Sequence, residues 1–229
     1  YGTMTVNAAG DINGDGFADL LVGSPHASNL NNDGYAGASY VVFGKAAGFA
    51  AALNLADLNG SNGFRLDGVA PNDYSGVSVS AAGDFNGDGL ADLVIGAQAT
   101  HIDEGSAFVV FGKTSGFSAV VALSSLTGSA GGGLRLDGVA GDYAGQSVSS
   151  AGDFNGDGFA DLLIGAPGPA NGSAPGHVYL VFGQSSGFSG TVELSALHGV
   201  TGFPLDGVTG DYAGVSVSGV GVVNGDGFA

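Results

Sequence analysis

The feature that most constrains this chain is an internal repeat. Tandem copies of one unit must each build the same local structure and bury their apolar faces against their neighbours. The segment AGDINGDGFADLLVGSP, beginning at Ala9, returns as AGDFNGDGLADLVIGAQ from Ala82 and as AGDFNGDGFADLLIGAP from Ala151. A fourth copy opens at Val220 and runs to Ala229, with Val222 where the others carry Asp11, Asp84 and Asp153. Those four positions are 73, 69 and 69 residues apart. Other landmarks keep the register: YVVFGK (40–45), FVVFGK (108–113) and YLVFGQ (179–184), then FRLDG (64–68), LRLDG (134–138) and FPLDG (203–207). DYSGVSVS (73–80), DYAGQSVS (142–149) and DYAGVSVS (211–218) precede the later copies. The units are therefore 1–73, 74–142 and 143–211, with 212–229 as the truncated start of a fourth.

Each unit reads as four strands. In the second, Val77 and Val79 alternate with Ser78 and Ser80, the period of a strand with one polar face. Leu93-Val94-Ile95 is a continuous apolar run, as expected of a strand covered on both faces. Phe108 to Phe111 is rich in aromatic and β-branched residues. Leu134 and Leu136 alternate with Arg135 and Asp137 in a more polar strand, expected at an outer edge. Between the third and fourth strands, 113–133 reads as a Gly/Ser-rich connection in which Leu123 and Leu126 anchor a turn. Glycine supplies 46 residues against 6 prolines, with no triplet period, which suits many tight turns and excludes collagen. An all-β chain with four antiparallel strands per repeat of this length is expected to form β-propeller blades.

The most chemically loaded segment is the loop D-x-N-G-D-G-x-A-D. Its positions 1, 3 and 5 offer side-chain oxygens, position 7 a backbone carbonyl and position 9 a further carboxylate. Hard oxygen donors on alternate residues suit Ca²⁺, and the three carboxylates give a charge of about −3 against +2. Mg²⁺ fits less well because it keeps more of its water. The expected ligands are Asp11, Asn13, Asp15, the Phe17 carbonyl and Asp19 in the first loop. Asp84, Asn86, Asp88, the Leu90 carbonyl and Asp92 follow in the second, and Asp153, Asn155, Asp157, the Phe159 carbonyl and Asp161 in the third. About three calcium ions per chain are expected, and none at the fourth copy, which lacks the first ligand. An EF-hand would need Glu at position 12, where Val22, Ile95 and Ile164 stand. Asp-Gly and Asn-Gly also form plain turns, but a turn alone gives no reason for Asp at the start of the following strand.

Charge and composition exclude other classes. The formal net charge is −17, from 21 acidic and 4 basic residues, so neither nucleic acid nor an anionic membrane surface is an expected partner. With 44% hydrophobic residues the chain is not a disordered acidic tail. It has no cysteine, which removes disulfides, thiolate metal sites and Cys nucleophiles. No apolar stretch is long enough to span a bilayer, and no signal-peptide pattern opens the sequence.

The Tyr-Ser/Ala-Gly element, the acidic loop and the following Gly-Ala-Pro together resemble the FG-GAP repeats of integrin α-subunit propellers and their bacterial relatives. Gly165-Ala166-Pro167 is literal, and Gly23-Ser24-Pro25 and Gly96-Ala97-Gln98 are near variants. The Phe-Gly element stands as Tyr1-Gly2, then with one inserted residue as Tyr74-Ser75-Gly76, Tyr143-Ala144-Gly145 and Tyr212-Ala213-Gly214. The resemblance covers essentially the whole chain. It implies a propeller, usually of seven blades, with calcium in the first hairpin of several blades and an extracellular setting. Three and a quarter repeats do not close such a ring. The expectation is a part of a longer propeller, with closure by a second copy as the other route.

The expected function is a non-catalytic surface or adhesion module that binds a protein or glycan, with calcium stiffening its hairpins. Ligand contacts are expected in the segments that differ between repeats, 26–36, 98–105 and 168–177. A structural spacer, or a propeller joined to a secreted hydrolase, are the alternatives. Of His26, His101, His177 and His198, only His101, beside Asp103 and Glu104, resembles an acid–base group, and no nucleophile elbow or zinc-protease motif occurs.

Overall fold

The computed structural model describes residues 3–28, 34–128, 132–186, 188–222, 227 and 229. Its strands, in chain order, are β1 (Thr5–Gly10), β2 (Asp19–Ser24), β3 (Ala38–Val42), β4 (Gly63–Asp67), β5 (Ser78–Gly83), β6 (Asp92–Ala97) and β7 (Ser106–Val110). They continue as β8 (Val120–Ala122), β9 (Gly133–Asp137), β10 (Ser147–Gly152), β11 (Asp161–Ala166), β12 (Pro175–Val181), β13 (Thr191–Glu193) and β14 (Gly202–Thr209). Three antiparallel meanders result, β1-β2-β3-β4, β5-β6-β7-β9 and β10-β11-β12-β14. These are three blades of a β-propeller, the all-β architecture expected from the repeat. The continuous apolar run becomes β6, which is buried at every position.

Two corrections concern the sheet edges. The connection 113–133 contains a strand, β8, which pairs in parallel with β4 of the preceding blade, Arg65 opposite Val120 and Asp67 opposite Ala122. β13 does the same for β9. The fourth strands of the first two blades are therefore not edges. A three-residue parallel strand has no alternation to read, and its partner lies more than fifty residues earlier. The anchoring turn itself is present, a 3-10 turn at Leu123–Ser125 with Leu123 and Leu126 buried.

Each blade seam has its own apolar core. Ile12, Leu21 and Phe64 of the first blade pack with Leu93, Phe108 and Phe117 of the second. Phe85, Val94 and Leu134 of the second pack with Leu162, Ile164 and Tyr179 of the third. The backbones also meet directly. Ser75 N–H donates to the Ala36 carbonyl at 3.1 Å, and Ala144 N–H to the Glu104 carbonyl at 3.1 Å. Tyr74, Tyr143 and Tyr212, which open these turns, hold positive φ of 56°, 56° and 54°. The turn geometry is thus imposed by the seam against the usual preference of a side-chain-bearing residue.

One buried polar contact reinforces the second seam. The Tyr179 hydroxyl donates to Asp142 Oδ2 at 2.7 Å, and burial together with that carboxylate raises its pKa. Tyr179→Phe is expected to lower stability by about 1.5–2 kcal/mol, because a buried carboxylate loses a donor. Urea denaturation measures this, with an unchanged midpoint refuting the contact.

Candidate metal centre

Each acidic loop joins the first two strands of its blade through a bulged hairpin. The register slips between Ala8 and Gly10, Ala81 and Gly83, and Ser150 and Gly152. Gly10, Gly83 and Gly152 lie at φ of 71°, 73° and 75°. A Cβ at each would come within 2.5 Å of the methyl of Ala91, Ala160 or Ala229 in the next repeat. Glycine is required there twice over, by conformation and by the neighbouring loop.

Within the first loop, Asp11 Oδ1 accepts from Gly14 N–H at 2.8 Å and Asp15 N–H at 3.1 Å, and its Oδ2 accepts from Gly16 N–H at 2.8 Å. Asn13 Oδ1 accepts from Asp15 N–H at 2.9 Å, while Asn13 Nδ2 donates to Asp15 Oδ2 at 2.9 Å. Asp15 Oδ1 accepts from Phe17 N–H at 2.9 Å. The second loop repeats these bonds through Asp84, Asn86, Asp88 and Leu90, except the one that Gly14 N–H makes in the first. The third does so through Asp153, Asn155, Asp157 and Phe159. The side chains of positions 1, 3 and 5 thus form one local network, with the position 7 backbone beside it. The basic side chains are engaged elsewhere, in Arg65–Asp67 and Arg135–Asp137 pairs and with Lys45 and Lys113 over Phe49 and Phe117.

The ninth residue sits differently. Asp19, Asp92 and Asp161 are only 4%, 0% and 0% exposed. Asp92 Oδ2 accepts from Phe85 N–H at 2.9 Å and Asn86 N–H at 3.2 Å, and its Oδ1 from Gly112 N–H at 2.9 Å. Asp19 holds Ile12 and Gly44 in the same way, and Asp161 holds Phe154, Asn155 and Gly183. Each carboxylate therefore ties its loop to the end of the third strand of its own blade. This gives the ninth Asp a structural purpose that the sequence did not disclose.

Burial pushes Asp92 up to about 7, against the pull of its N–H donors, with the Asp88 charge adding to the rise. Burial also raises Asp19 and Asp161, each against backbone N–H donors. The folded state thus holds the Asp92 proton well above the ordinary 3.8. Its contribution to stability is fully present below that value and is lost as pH rises through about 7. Chelator-treated protein is expected to melt at a lower temperature at pH 8 than at pH 5. A calorimetric melt series checks this, and a melting temperature independent of pH would contradict it.

Among the described residues no three acidic or histidine side chains converge as a ready-made cage. The donor set nevertheless suits a hard cation: each loop combines partly or fully exposed Asp side chains at positions 1 and 5 with an amide and a buried carboxylate. A carboxylate has about four lone-pair directions, so the N–H contacts leave acceptor capacity on every one. The fourth copy falls largely outside the described residues, which include Val222 but not 223–226.

The loops are also joined to one another, which no side-chain pattern signalled. Ala91 N–H donates to the Asp11 carbonyl at 3.3 Å, Ala160 N–H to that of Asp84 at 3.0 Å, and Ala229 N–H to that of Asp153 at 3.2 Å. The next carbonyls along, on Ile12 and Phe85, accept from Lys113 and Gln184 N–H at 2.9 and 3.0 Å. The three loops therefore run as a contiguous row along one rim.

The histidines do not assemble an acid–base site among the described residues. His177 Nδ1 lies 2.9 Å from Asp206 Oδ1 on an exposed strand, and His26 packs edge-on against Tyr35 and Tyr74. Asp103 closes the short helix α1 (Thr100–Asp103) and its carbonyl accepts from Gly141 and Tyr143 N–H. The His101 side chain lies outside what is described.

A family model described as FG-GAP repeat matches residues 5–42, 75–110 and 144–181, in each case from the first strand of a blade to its third. The chain is 30% identical over 158 residues to integrin alpha-4 of Xenopus laevis and 34% identical over 168 residues to integrin alpha-PS5 of Drosophila melanogaster. These matches cover 69% and 70% of the chain but 14% of each integrin. It is also 29% identical over 192 residues to phosphatidylinositol-glycan-specific phospholipase D of Bos taurus, covering 81% of the chain and 21% of that protein.

Proposed function

The chain belongs to the FG-GAP repeat family, and from that premise we propose a calcium-stabilised, non-catalytic propeller module that serves as an extracellular or cell-surface platform for a protein or glycan ligand. The observation that carries this reading is the threefold recurrence of one loop network. In every copy the side chains at positions 1, 3 and 5 and a buried carboxylate at position 9 offer oxygens without a basic partner. In an uncompensated loop these like charges repel, and a bound divalent cation would neutralise them and offset the desolvation of the ninth Asp. Asp11, Asn13, Asp15, Asp19 and the Phe17 carbonyl would hold one ion, and the equivalent residues of the second and third loops the others. Calcium would supply charge neutralisation and cross-linking, with no part in any covalent step.

Because the loops form one row and are tied to each third strand, ion binding would stiffen the rim and both seams together. A platform of that kind leaves the opposite rim, with the variable connections, for ligand contact. The similarity to integrin α subunits favours adhesion. The similarity to a phospholipase D favours a second reading, in which such a module accompanies a hydrolase. Turnover of phosphodiester or ester substrates by this chain would overturn the non-catalytic reading.

The direct test is a calcium titration by calorimetry on chelator-stripped protein. About three sites are expected, falling to two in Asp88→Ala. Each site should add about 2.7 kcal/mol of stability at free calcium a hundredfold above its Kd. Absence of binding heat, together with an unchanged melting temperature, would reduce the loops to hairpin turns.

A further inference from the structure

The chain has three glutamines, and two of them interrupt the repeat. Gln98 stands where Pro25 and Pro167 close the other Gly-x-Pro elements, and Gln146 where Val77 and Val215 follow the other Tyr-x-Gly turns. A repeat places equivalent residues in equivalent surroundings, so a polar side chain at an otherwise apolar position calls for a local cause. The two glutamines belong to different blades, yet both line one cavity of about 370 Å³. Tyr143, Pro167, Ala170 and Tyr212 line it with them.

This cavity lies on the rim opposite the acidic loops. Gln98 and Pro167 follow β6 and β11, whose first residues, Asp92 and Asp161, close those loops at the other end. Gln98 and Ala170 fall in the segments 98–105 and 168–177, two of those expected to make ligand contacts. The walls are fixed by bonds of their own. Tyr143 N–H donates to the Asp103 carbonyl at 3.1 Å, and its hydroxyl bonds the Asp103 side chain. Gly168 N–H donates to the Asp142 carbonyl at 3.1 Å, and the Tyr212 hydroxyl to that of Ala170 at 2.9 Å. With both hydroxyls committed, the tyrosines add mainly ring surface. Gln98 is the exception: its Oε1 is buried and has no hydrogen-bond partner among the described residues. A buried amide oxygen left unpaired is costly, and a donor on a ligand would relieve it.

The lining also selects the ligand. Among the described residues that form it none is charged, so no carboxylate awaits a cationic side chain and no base awaits an anion. The net charge of −17 opposes anions further. What remains is ring surface, proline and two amides, each able to donate and accept. A pyranose matches that set, with a C–H face for the rings and hydroxyls that donate and accept for the amides.

We propose that the cavity between the Tyr143 and Tyr212 turns binds a neutral saccharide unit, with Gln98 and Gln146 as its hydrogen-bonding residues. Its volume is at the small end of those that hold small molecules, so one sugar unit occupies it and the rest of a glycan extends outward. Glycan is thereby selected over protein as the ligand of the platform proposed above, a reading on which this one rests.

A glycan array probed with the full chain in calcium, followed by calorimetry with neutral methyl pyranosides, tests this. Neutral hexose or N-acetylhexosamine glycans should bind. Gln146→Val and Gln98→Ala should each weaken that binding about tenfold, through loss of one or two hydrogen bonds. Gln146→Val restores the residue of the other repeats, so its fold should be intact, which circular dichroism and a calcium titration check. Gln184→Ala, at the one glutamine outside the cavity, should bind as the parent does. Binding that both cavity variants retain, or that only sialylated or sulfated glycans show, would overturn the proposal. So would a parent that binds no glycan at all. Calcium binding and a protein ligand would survive any of these results, whereas loss of the calcium sites themselves would count against the platform reading.

Discussion

Asp92→Ala is expected to lower the unfolding free energy by about 3–5 kcal/mol, and to do so in chelator as well as in calcium. The cause is local. Three backbone N–H groups, on Phe85, Asn86 and Gly112, have the Asp92 carboxylate as acceptor. The carboxylate is 0% exposed, so water cannot take its place without opening the blade. Unpaired buried donors carry a penalty of about 1–3 kcal/mol each, and the gain from no longer burying a charge offsets only part of it. Asp92→Asn keeps one acceptor and removes the charge, so about half the loss is expected. Asp88→Ala, at an exposed loop position, should cost under about 1 kcal/mol in chelator but abolish calcium stabilisation of that loop. Urea denaturation with and without calcium separates the three. If Asp92→Ala were harmless in chelator, the ninth carboxylate would be a metal ligand and nothing else.

The second large effect is expected at a glycine. Gly96→Ala should destabilise by about 3 kcal/mol, the upper end of what overpacking does. A Cβ there would stand 2.0 Å from the Gly145 carbonyl oxygen and 2.3 Å from Ser78 Oγ. The carbonyl belongs to the turn of the next blade, so only a shift of the whole seam relieves the clash. Gly165 and Gly23 stand in the same relation to the carbonyls of Gly214 and Gly76, at 2.0 and 2.2 Å. The glycine of the Gly-Ala-Pro element is therefore small because the neighbouring blade rests on it. Gly48→Ala is the control: nothing lies within 4 Å of its Cβ, and it should leave stability unchanged. Equal midpoints for the two variants would refute the close approach.

Much of this was legible beforehand, residue by residue. The alternation of Val77 and Val79 with Ser78 and Ser80 located the start of β5, and the run Leu93 to Ile95 announced the fully buried β6. Leu123 and Leu126 were visible as a turn anchor because leucines isolated among Ser and Gly have few other uses. β8 and β13 were not visible, since three residues carry no period and their parallel partners sit in the previous repeat. The outer-edge reading of β4 and β9 failed for the same reason: Arg65 and Arg135 look solvated in sequence, yet each is largely covered and paired with the Asp two residues on.

The candidate site divides along the same line. Which atoms are available in each loop is a covalent fact, so Asp11, Asn13, Asp15 and Asp19 and their two sets of equivalents could be named from spacing alone. Where those atoms point depends on contacts distant in sequence. Asp19 faces inward because Gly44 N–H, 25 residues away, takes one of its oxygens. The loops form a row because Ala91 and Ala160 reach back to carbonyls of the preceding repeat. The sequence by itself determined the repeat, the blade and the chemistry of its acidic hairpin, because period and composition are local properties. Only the tertiary structure decided how one blade completes the next, because backbone carbonyls, parallel strand additions and glycine contacts leave no side-chain pattern to read.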